Sequence, residues 1–218
     1  MLCNPGLALV TTTDYPADMA KIDLDALFGA RKERPLMIDL FAGIGGASEA
    51  FVDAGWEVVR VELDPNLLAK AKRGRFVIDE PADLTTWSWR GRRPTLIWAS
   101  PPCTEFSRES MPWCRTGKEP SMELTRAARR IIEEANPKYW VIENVRGAIK
   151  WFERDGMGKR VQSHGPVFLW GKFPEFEAKV EPWKEKLPST AKALRSKIPF
   201  AISDGLRRAI EAELELEG

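Results

Sequence analysis

From Pro35 onward, short apolar runs alternate with stretches of helical spacing, and this alternation restricts the fold more than any other feature of the sequence. The runs are PLMIDLF, EVVRVEL, TLIWAS, YWVIENV and PVFLWG. Continuous apolar runs of this length are typical of parallel strands that are buried on both faces. Helical spacing is found in 46–54, 65–73 and 121–135. The pattern predicts an α/β fold with a doubly wound, mostly parallel sheet.

The remaining segments set the expected domain organisation. Residues 1–34 have no sustained periodicity and are expected to form a lead-in segment, so that one domain spans 35–218. Within that domain, 172–189 is rich in Pro, Lys and Glu and predicts a surface loop, whereas 203–216 predicts a terminal helix.

Charge and cysteine content exclude several classes of protein. The net charge is only +1, so any basic surface for a nucleic acid must be local. Three cysteines and one histidine argue against a disulfide framework and a zinc site, and we expect reduced thiols and no metal. No apolar stretch is long enough for a signal peptide or a membrane span, so we expect a cytoplasmic protein without a membrane partner.

The first apolar run leads directly into the glycine-rich turn DLFAGIGG, which spans 39–46. Glycines at the carboxyl end of a strand let a ligand approach the bare backbone, although a tight turn without a ligand has the same pattern. Glu62 ends the next run about twenty residues on, where a carboxylate can bind both hydroxyls of a ribose. The turn lacks dinucleotide glycine spacing, which favours S-adenosyl-L-methionine over a nicotinamide cofactor. Asp83 either accepts from an adenine amino group or caps a local turn.

Two further strand ends carry reactive side chains. Cys103 follows TLIWA on a loop with two prolines, and Glu143 closes the run YWVIE. A single cysteine is usually a small buried residue, an interpretation that we keep for Cys3 and Cys114. A charged Glu at the end of so apolar a strand must reach solvent or have a function. On neighbouring strands, Cys103 and Glu143 would form a nucleophile and a proton donor.

The ordered set DLFAGIGG, Glu62, PPCTEFS and ENV resembles the signature motifs of the DNA cytosine-5 methyltransferase family, from about Pro35 to the C-terminus. The resemblance implies the Rossmann-like fold of class I S-adenosylmethionine-dependent methyltransferases, with 35–218 as the catalytic domain. It also implies S-adenosyl-L-methionine as cofactor and DNA, expected to be double-stranded, as substrate of a monomer.

The same resemblance assigns roles to individual residues. Cys103 and Glu143 are the implied catalytic pair, and Ser107, Asn144 and Arg146 lie on the substrate side. Glu62 is expected to bind the ribose and Asp83 the adenine. The implied cofactor-binding residues are Asp39, Phe41, Ala42, Gly43, Gly45, Gly46, Glu62, Leu63, Asp83 and Pro102. The run 196–200 is similar to the last motif of the family, which folds back beside the cofactor.

The chemistry of cytosine explains why these residue types are needed. Carbon 5 becomes nucleophilic only after the Cys103 thiolate adds to carbon 6 while Glu143 donates to ring nitrogen 3. A base inside a duplex is out of reach, so we expect base flipping.

The sequence departs from the family pattern in three places. Thr104 replaces the Gln that usually follows the cysteine, and the Gln-x-Arg-x-Arg segment aligns with Gln162, His164 and Pro166, so both arginines are missing. Arg146 or Arg160 is the expected substitute. The segment 173–189 has no room for a target-recognition domain, which predicts short or relaxed sequence specificity. The basic residues near this segment either contact DNA phosphates or form an ordinary solvated surface; they are Lys172, Lys179, Lys184, Lys186, Arg195 and Lys197.

Two alternatives remain at this point. A transfer-RNA cytosine-5 methyltransferase would use the same cysteine and glutamate, and a catalytically silent cofactor- or DNA-binding homologue would keep the fold without turnover. The sequence leaves open whether the biological role is phage modification or part of a restriction-modification pair.

Overall fold

The computed structural model describes residues 33–110, 117–181, 187–188 and 190–217, and within them seven strands form one sheet in the order β3-β2-β1-β4-β5-β7-β6. Strands β1 to β5 are parallel, which confirms the predicted doubly wound, mostly parallel α/β fold. The strand bounds are β1 Leu36–Leu40, β2 Glu57–Glu62, β3 Val77–Pro81, β4 Leu96–Ala99, β5 Tyr139–Asn144, β6 Gln162–His164 and β7 Val167–Lys172. Nearly all of the predicted lead-in segment 1–34 lies outside the described residues, so it stays a prediction.

Helices connect the strands on both faces of the sheet. The helices predicted in 46–54, 65–73 and 121–135 are all shorter in the structure, and the glycine turn delays the first of them to Glu49. The bounds are α1 Glu49–Asp53, α2 Pro65–Leu68, α3 Thr104–Ser110, α4 Glu123–Ala135, a 3₁₀ turn Arg146–Ala148, α5 Ile149–Arg154, α6 Lys192–Ser196 and α7 Phe200–Leu216.

The prediction of a parallel strand for PVFLWG is wrong, because β7 runs antiparallel to β5 and forms a hairpin with β6. An apolar run marks burial but carries no information on strand direction. Asn144 pairs with Phe168, so the hairpin turn at Gly165 lies at the carboxyl edge of the parallel strands. Lys172 pairs with Trp140 and therefore lies at the opposite edge.

The last helix is fixed against the start of the sheet. Ile202, Leu206 and Ile210 of α7 are buried in one of two hydrophobic clusters. Ser203 Oγ donates to the Ala47 carbonyl over 2.7 Å and accepts from the Ala50 amide over 3.2 Å. These bonds place the segment before α7 beside the glycine turn.

Lys172 is the last residue of β7, and the described part of 173–189 contains no helix or strand, in agreement with the predicted loop. Phe176 within it is buried, and it lies 2.8 Å from the position of a Cβ on Gly205. The segment therefore packs on α7. Within the described ranges, no helix has the length and apolar character needed to cross a membrane.

Candidate active site

A cavity of about 420 Å³ opens at the carboxyl ends of β1, β2, β4 and β5. The residues that sequence reasoning assigned separately to cofactor and chemistry meet in this one cavity. Those among its lining residues are Asp39, Phe41, Ala42, Gly43, Gly46, Glu62, Leu63, Asp83, Pro102, Cys103 and Glu143.

The three glycines of the turn have different roles. Gly43 has a positive φ of 54° and open space where a Cβ would be, so it leaves bare backbone at the cavity. A Cβ on Gly45 would lie 2.8 Å from Arg60 Nε, and one on Gly46 would lie 2.6 Å from the Ile198 amide nitrogen. Gly45 thus faces Arg60 and does not line the cavity, so its cofactor contact stays a prediction, whereas Gly46 makes room for the segment before α7.

The Glu62 carboxylate is held in place by backbone amides. Its Oε2 accepts from Gly43 N–H over 2.9 Å, and its Oε1 accepts from Asp64 N–H over 3.1 Å. Leu63 beside it is 69% exposed and lines the cavity, an unusual exposure for a large apolar side chain. This corner offers a fixed acceptor next to an apolar surface.

Asp39 is a buried acid at the base of the cavity, with 1% of its surface exposed. Burial raises its pKa to about 6, while hydrogen bonds from Ser48 and the charge of Arg60 act in the opposite direction. Arg60 Nε in turn donates to Ser48 Oγ over 2.8 Å. Among the described residues, Asp39 Oδ2 has no hydrogen-bond partner. The cavity therefore contains a buried oxygen that is available to a ligand donor.

Asp83 is exposed and caps a local turn, which is one of the two roles that the sequence left open. Its Oδ1 accepts from the backbone N–H of Thr85 over 2.9 Å and from Thr85 Oγ1 over 2.8 Å. These bonds lower the pKa of the Asp83 carboxyl and keep it ionised. Since Asp83 also lines the cavity, its second oxygen remains compatible with an adenine contact.

Cys103 and Glu143 line the same cavity. Asn144, which follows Glu143 at the end of β5, connects this strand to the loop that carries Cys103. The fully buried Asn144 donates from Nδ2 to the Pro101 carbonyl over 3.0 Å. Its Oδ1 accepts from Val145 N–H over 2.9 Å. Asn144 thus holds the Cys103 loop against the end of β5, and its side chain does not line the cavity.

Ser107 and Arg146 lie near this pair but outside the lining of the cavity. Ser107 is in α3, where its amide donates to the Cys103 carbonyl over 2.8 Å. Arg146 is exposed and opens the 3₁₀ turn that packs against α3. Within the part of the chain that the structure describes, its guanidinium has no hydrogen-bond or ion-pair partner.

In the β6–β7 hairpin, the two positions that align with the family's arginines are His164 and Pro166, and neither lines the cavity with a positive charge. The Gln162 amide bonds to the Phe176 backbone, and the His164 ring stacks on Phe176 at 4.7 Å. Burial lowers the pKa of His164, which leaves the ring neutral at neutral pH. Arg160 Cζ lies 5.3 Å from the centre of the Phe168 ring, and its Nη1 donates to Ser163 Oγ over 3.1 Å.

Sequence reasoning missed part of the cavity wall. The missed residues come from segments far apart in the chain, and they include Leu67, Leu124, Val167 and Ala193. The similarity of 196–200 to a last motif was the available signal for Ser196, Lys197 and Ile198, which do line the cavity.

Comparisons with known proteins identify the family of the chain. The family model for C-5 cytosine-specific DNA methylases matches residues 36–156. The Type II methyltransferase M.XorII of Xanthomonas oryzae is 34% identical over 125 residues, 52% of this chain and 29% of that protein. The Type II methyltransferase M.AquIA of Picosynechococcus is 33% identical over 129 residues, 53% of this chain and 50% of that protein. The chain thus spans half or less of the length of these curated relatives.

Among solved structures, a protein described as a DNA modification methyltransferase encoded within an Escherichia coli prophage has 20% sequence identity and a TM-score of 0.49. The match covers 63% of this chain and 46% of that chain.

Proposed function

Because the chain belongs to the C-5 cytosine-specific DNA methylase family, we propose that it transfers a methyl group from S-adenosyl-L-methionine to carbon 5 of a cytosine in DNA. The observation that carries this proposal is the shared cavity. Glu62 and the glycine turn lie on one side of it, and Cys103 with Glu143 lies on the other.

The residues present fit the proposed cofactor. Glu62 offers a fixed carboxylate to the ribose hydroxyls, and Leu63 with Pro102 offers apolar surface to the adenine. The carboxylates of Asp39, Glu62 and Asp83 suit a ligand rich in donors and would repel the pyrophosphate of a dinucleotide. When bound, S-adenosyl-L-methionine supplies an electrophilic methyl group.

The catalytic residues activate the base. The Cys103 thiolate adds to carbon 6 of the ring, and Glu143 donates a proton to ring nitrogen 3, which makes carbon 5 nucleophilic. After methylation, water takes the carbon 5 proton, the double bond re-forms with expulsion of the Cys103 thiolate, and the proton on ring nitrogen 3 returns to Glu143. The bond from Asn144 to Pro101 supports this chemistry, because it holds the Cys103 loop beside the end of β5, where Glu143 lies.

Arg146 is the proposed substitute for the missing arginines. Attack on carbon 6 builds negative charge on the base carbonyl, which a cationic donor stabilises. Arg146 follows Glu143 by three residues and belongs to the turn packed on the Cys103 helix, with its guanidinium available. Arg160 is less suited, because its guanidinium already contacts Ser163 and Phe168. Ser107 and Asn144 are proposed to order the substrate side from positions outside the lining of the cavity.

We propose short sequence specificity because the segment 172–181 packs against the protein itself and is not free to read DNA. Phe176 is buried against α7, and Lys172 lies at the edge of the sheet opposite the cavity. Of the other expected phosphate contacts, Arg195 donates to the Leu187 carbonyl, and Lys184 and Lys186 lie outside the described residues. We further propose a monomer in the cytoplasm, where DNA and the cofactor occur together.

One experiment tests activity, substrate and context together. The protein is incubated with S-adenosyl-L-methionine and either duplex DNA of random sequence or transfer RNA, and 5-methylcytosine is mapped by sequencing. Methylation of DNA in contexts of one or two defined bases supports the proposal. Methylation of RNA alone would select the transfer-RNA alternative. Failure to methylate either, or to form an adduct with a 5-fluorocytosine oligonucleotide, would indicate a silent homologue.

A further inference from the structure

Exposed arginines collect at the edge of the sheet opposite the cavity, where the parallel strands begin. They come from three segments far apart in the chain, which directly precede β1, β3 and β4. Because a loop that precedes a parallel strand lies at the amino end of that strand, the fold brings these segments to one edge. We call the set the arginine patch, and its members are Arg34, Arg73, Arg75, Arg90, Arg92 and Arg93.

Direct contacts join the three segments of the arginine patch. Arg92 Nη2 donates to the Arg34 carbonyl over 2.6 Å and to Glu57 Oε2 over 2.9 Å. The Arg34 guanidinium carbon in turn lies 4.0 Å from the centre of the Phe76 ring, in the segment before β3. The patch is therefore one continuous surface.

An apolar pocket of about 400 Å³ opens within this surface. Its lining includes Val58, Phe76, Trp89 and Ile78, and Ile78 is 62% exposed although it is a large apolar side chain. Trp89 Nε1 donates to the Arg92 carbonyl over 2.7 Å, which fixes the indole beside the arginines. The volume falls in the range of about 300–1,000 Å³ that is usual for ligand pockets.

The arginine patch carries excess positive charge, although the net charge of the whole chain is only +1. The carboxylates of Glu57 and Asp79 pair with Arg92 and Arg73. Within the described ranges, Arg75 and Arg90 have no carboxylate partner. The pocket is thus bordered by guanidinium groups that are available to an anion.

We propose that the arginine patch binds single-stranded nucleic acid, with phosphates on the arginines and an unstacked base in the apolar pocket. A guanidinium donates paired hydrogen bonds to a phosphate, and a base freed from a duplex packs on aromatic and apolar side chains. A duplex keeps its bases stacked in pairs and offers none to the pocket. None of the six arginines lines the catalytic cavity, so this site is separate from the proposed methyl transfer and does not depend on it.

Fluorescence anisotropy with a labelled oligothymidylate tests the proposal, because this strand has no cytosine for the catalytic cavity. The double variant Arg75→Gln, Arg90→Gln keeps most of each side-chain stem and removes two charges. We expect its Kd to rise at least about tenfold at about 0.1 M salt. The slope of log Kd against log salt should fall by about 1.4, since each phosphate contact to a single strand contributes about 0.7.

The double variant Lys192→Gln, Arg208→Gln is the matched control. Both residues are exposed, lie in α6 and α7, and do not line the pocket, so the same loss of charge should change the Kd less than about twofold. An equal rise in both double variants would mean that binding follows net charge alone and would overturn the proposal. Circular dichroism melting at the wild-type temperature shows that each variant is folded.

Three competing ligands test the nature of the occupant with the wild-type protein. Weaker binding of an abasic strand of the same length supports the use of the pocket by a base, and equal binding would overturn it. Tighter binding of a thymine–adenine duplex would replace the single strand by duplex DNA. Displacement of the oligothymidylate by polyglutamate at equal charge concentration would replace it by an acidic protein. These measurements need neither cofactor nor turnover, so a failure of the proposed methyl transfer leaves them unaffected.

Discussion

The side-chain amide of Asn144 donates to the carbonyl of Pro101 over 3.0 Å, and this bond joins the end of β5 to the Cys103 loop. Asn144→Ala should leave the buried Pro101 carbonyl unpaired and destabilise the fold by about 1–3 kcal/mol. Because the loop is then less ordered, we expect kcat to fall at least about tenfold while S-adenosylhomocysteine binding is retained. Denaturant unfolding, turnover and calorimetry measure the three quantities. Unchanged kcat in a destabilised variant would show that the bond is structural only.

Cys103→Ser should abolish both methyl transfer and adduct formation with 5-fluorocytosine DNA, because serine is a much weaker nucleophile than a thiolate. Cofactor binding should survive, since the sulfur is not proposed to hold the cofactor. Cys114→Ser, at a position outside the described residues, should keep full activity. Turnover by the Cys103 variant at the wild-type rate would refute the covalent mechanism.

Glu62→Ala should weaken cofactor binding, because it removes a carboxylate that the Gly43 and Asp64 amides orient towards the cavity. Each charge-assisted bond to a ribose hydroxyl contributes roughly 1.5–3 kcal/mol, so the Kd should rise about tenfold or more. Glu57→Ala is the matched control, since Glu57 begins the same strand at the opposite edge. Equal dissociation constants for the Glu62 variant and the wild type would make Glu62 a structural residue of the turn.

Asp39 should make stability depend on pH. Its pKa rises from 3.8 to about 6 on folding, so the folded state holds the proton more tightly and loses stability as pH increases through that window. The loss is on the order of 3 kcal/mol. Asp39→Asn lacks this titration, and its stability relative to the wild type should rise between pH 4 and pH 7. Urea unfolding at both pH values checks this, and a constant difference would contradict it.

The same Asp39→Asn variant should bind S-adenosylhomocysteine more weakly at pH 7, because the ligand ammonium loses its anionic partner. Wild-type affinity should fall as pH drops below about 6, where Asp39 becomes protonated. Calorimetry between pH 5 and pH 8 measures both effects. A pH-independent wild-type Kd would exclude Asp39 from the cofactor contact.

Arg146 and Arg160 can be ranked by matched substitutions. Arg146→Ala should lower the rate of adduct formation about 10²- to 10³-fold, the usual effect of removing one donor from developing charge. Arg160→Ala should change it less than about threefold, because Arg160 contacts Ser163 and Phe168 in the hairpin. Single-turnover trapping on 5-fluorocytosine DNA measures both rates, and the reverse ranking would move the proposed role to Arg160.

Several of these features were determined by local sequence alone. A buried parallel strand that ends in Glu62 or Glu143 places its carboxylate at the carboxyl edge whatever the rest of the chain does, because strand direction fixes that edge. For the same reason, the glycine turn and the Cys103 loop were assigned correctly to one edge. Each depends on a run of fewer than about ten residues, within which periodicity and turn chemistry are sufficient.

Only the tertiary structure decided the features that depend on long-range pairing. The antiparallel direction of β7 follows from a hairpin, and an apolar run alone does not encode direction. The raised pKa of Asp39 requires the depth of burial, and the position of Lys197 requires α7 to dock on α1 through Ser203. Burial and docking arise from contacts between residues far apart in the chain, so no local pattern contains them.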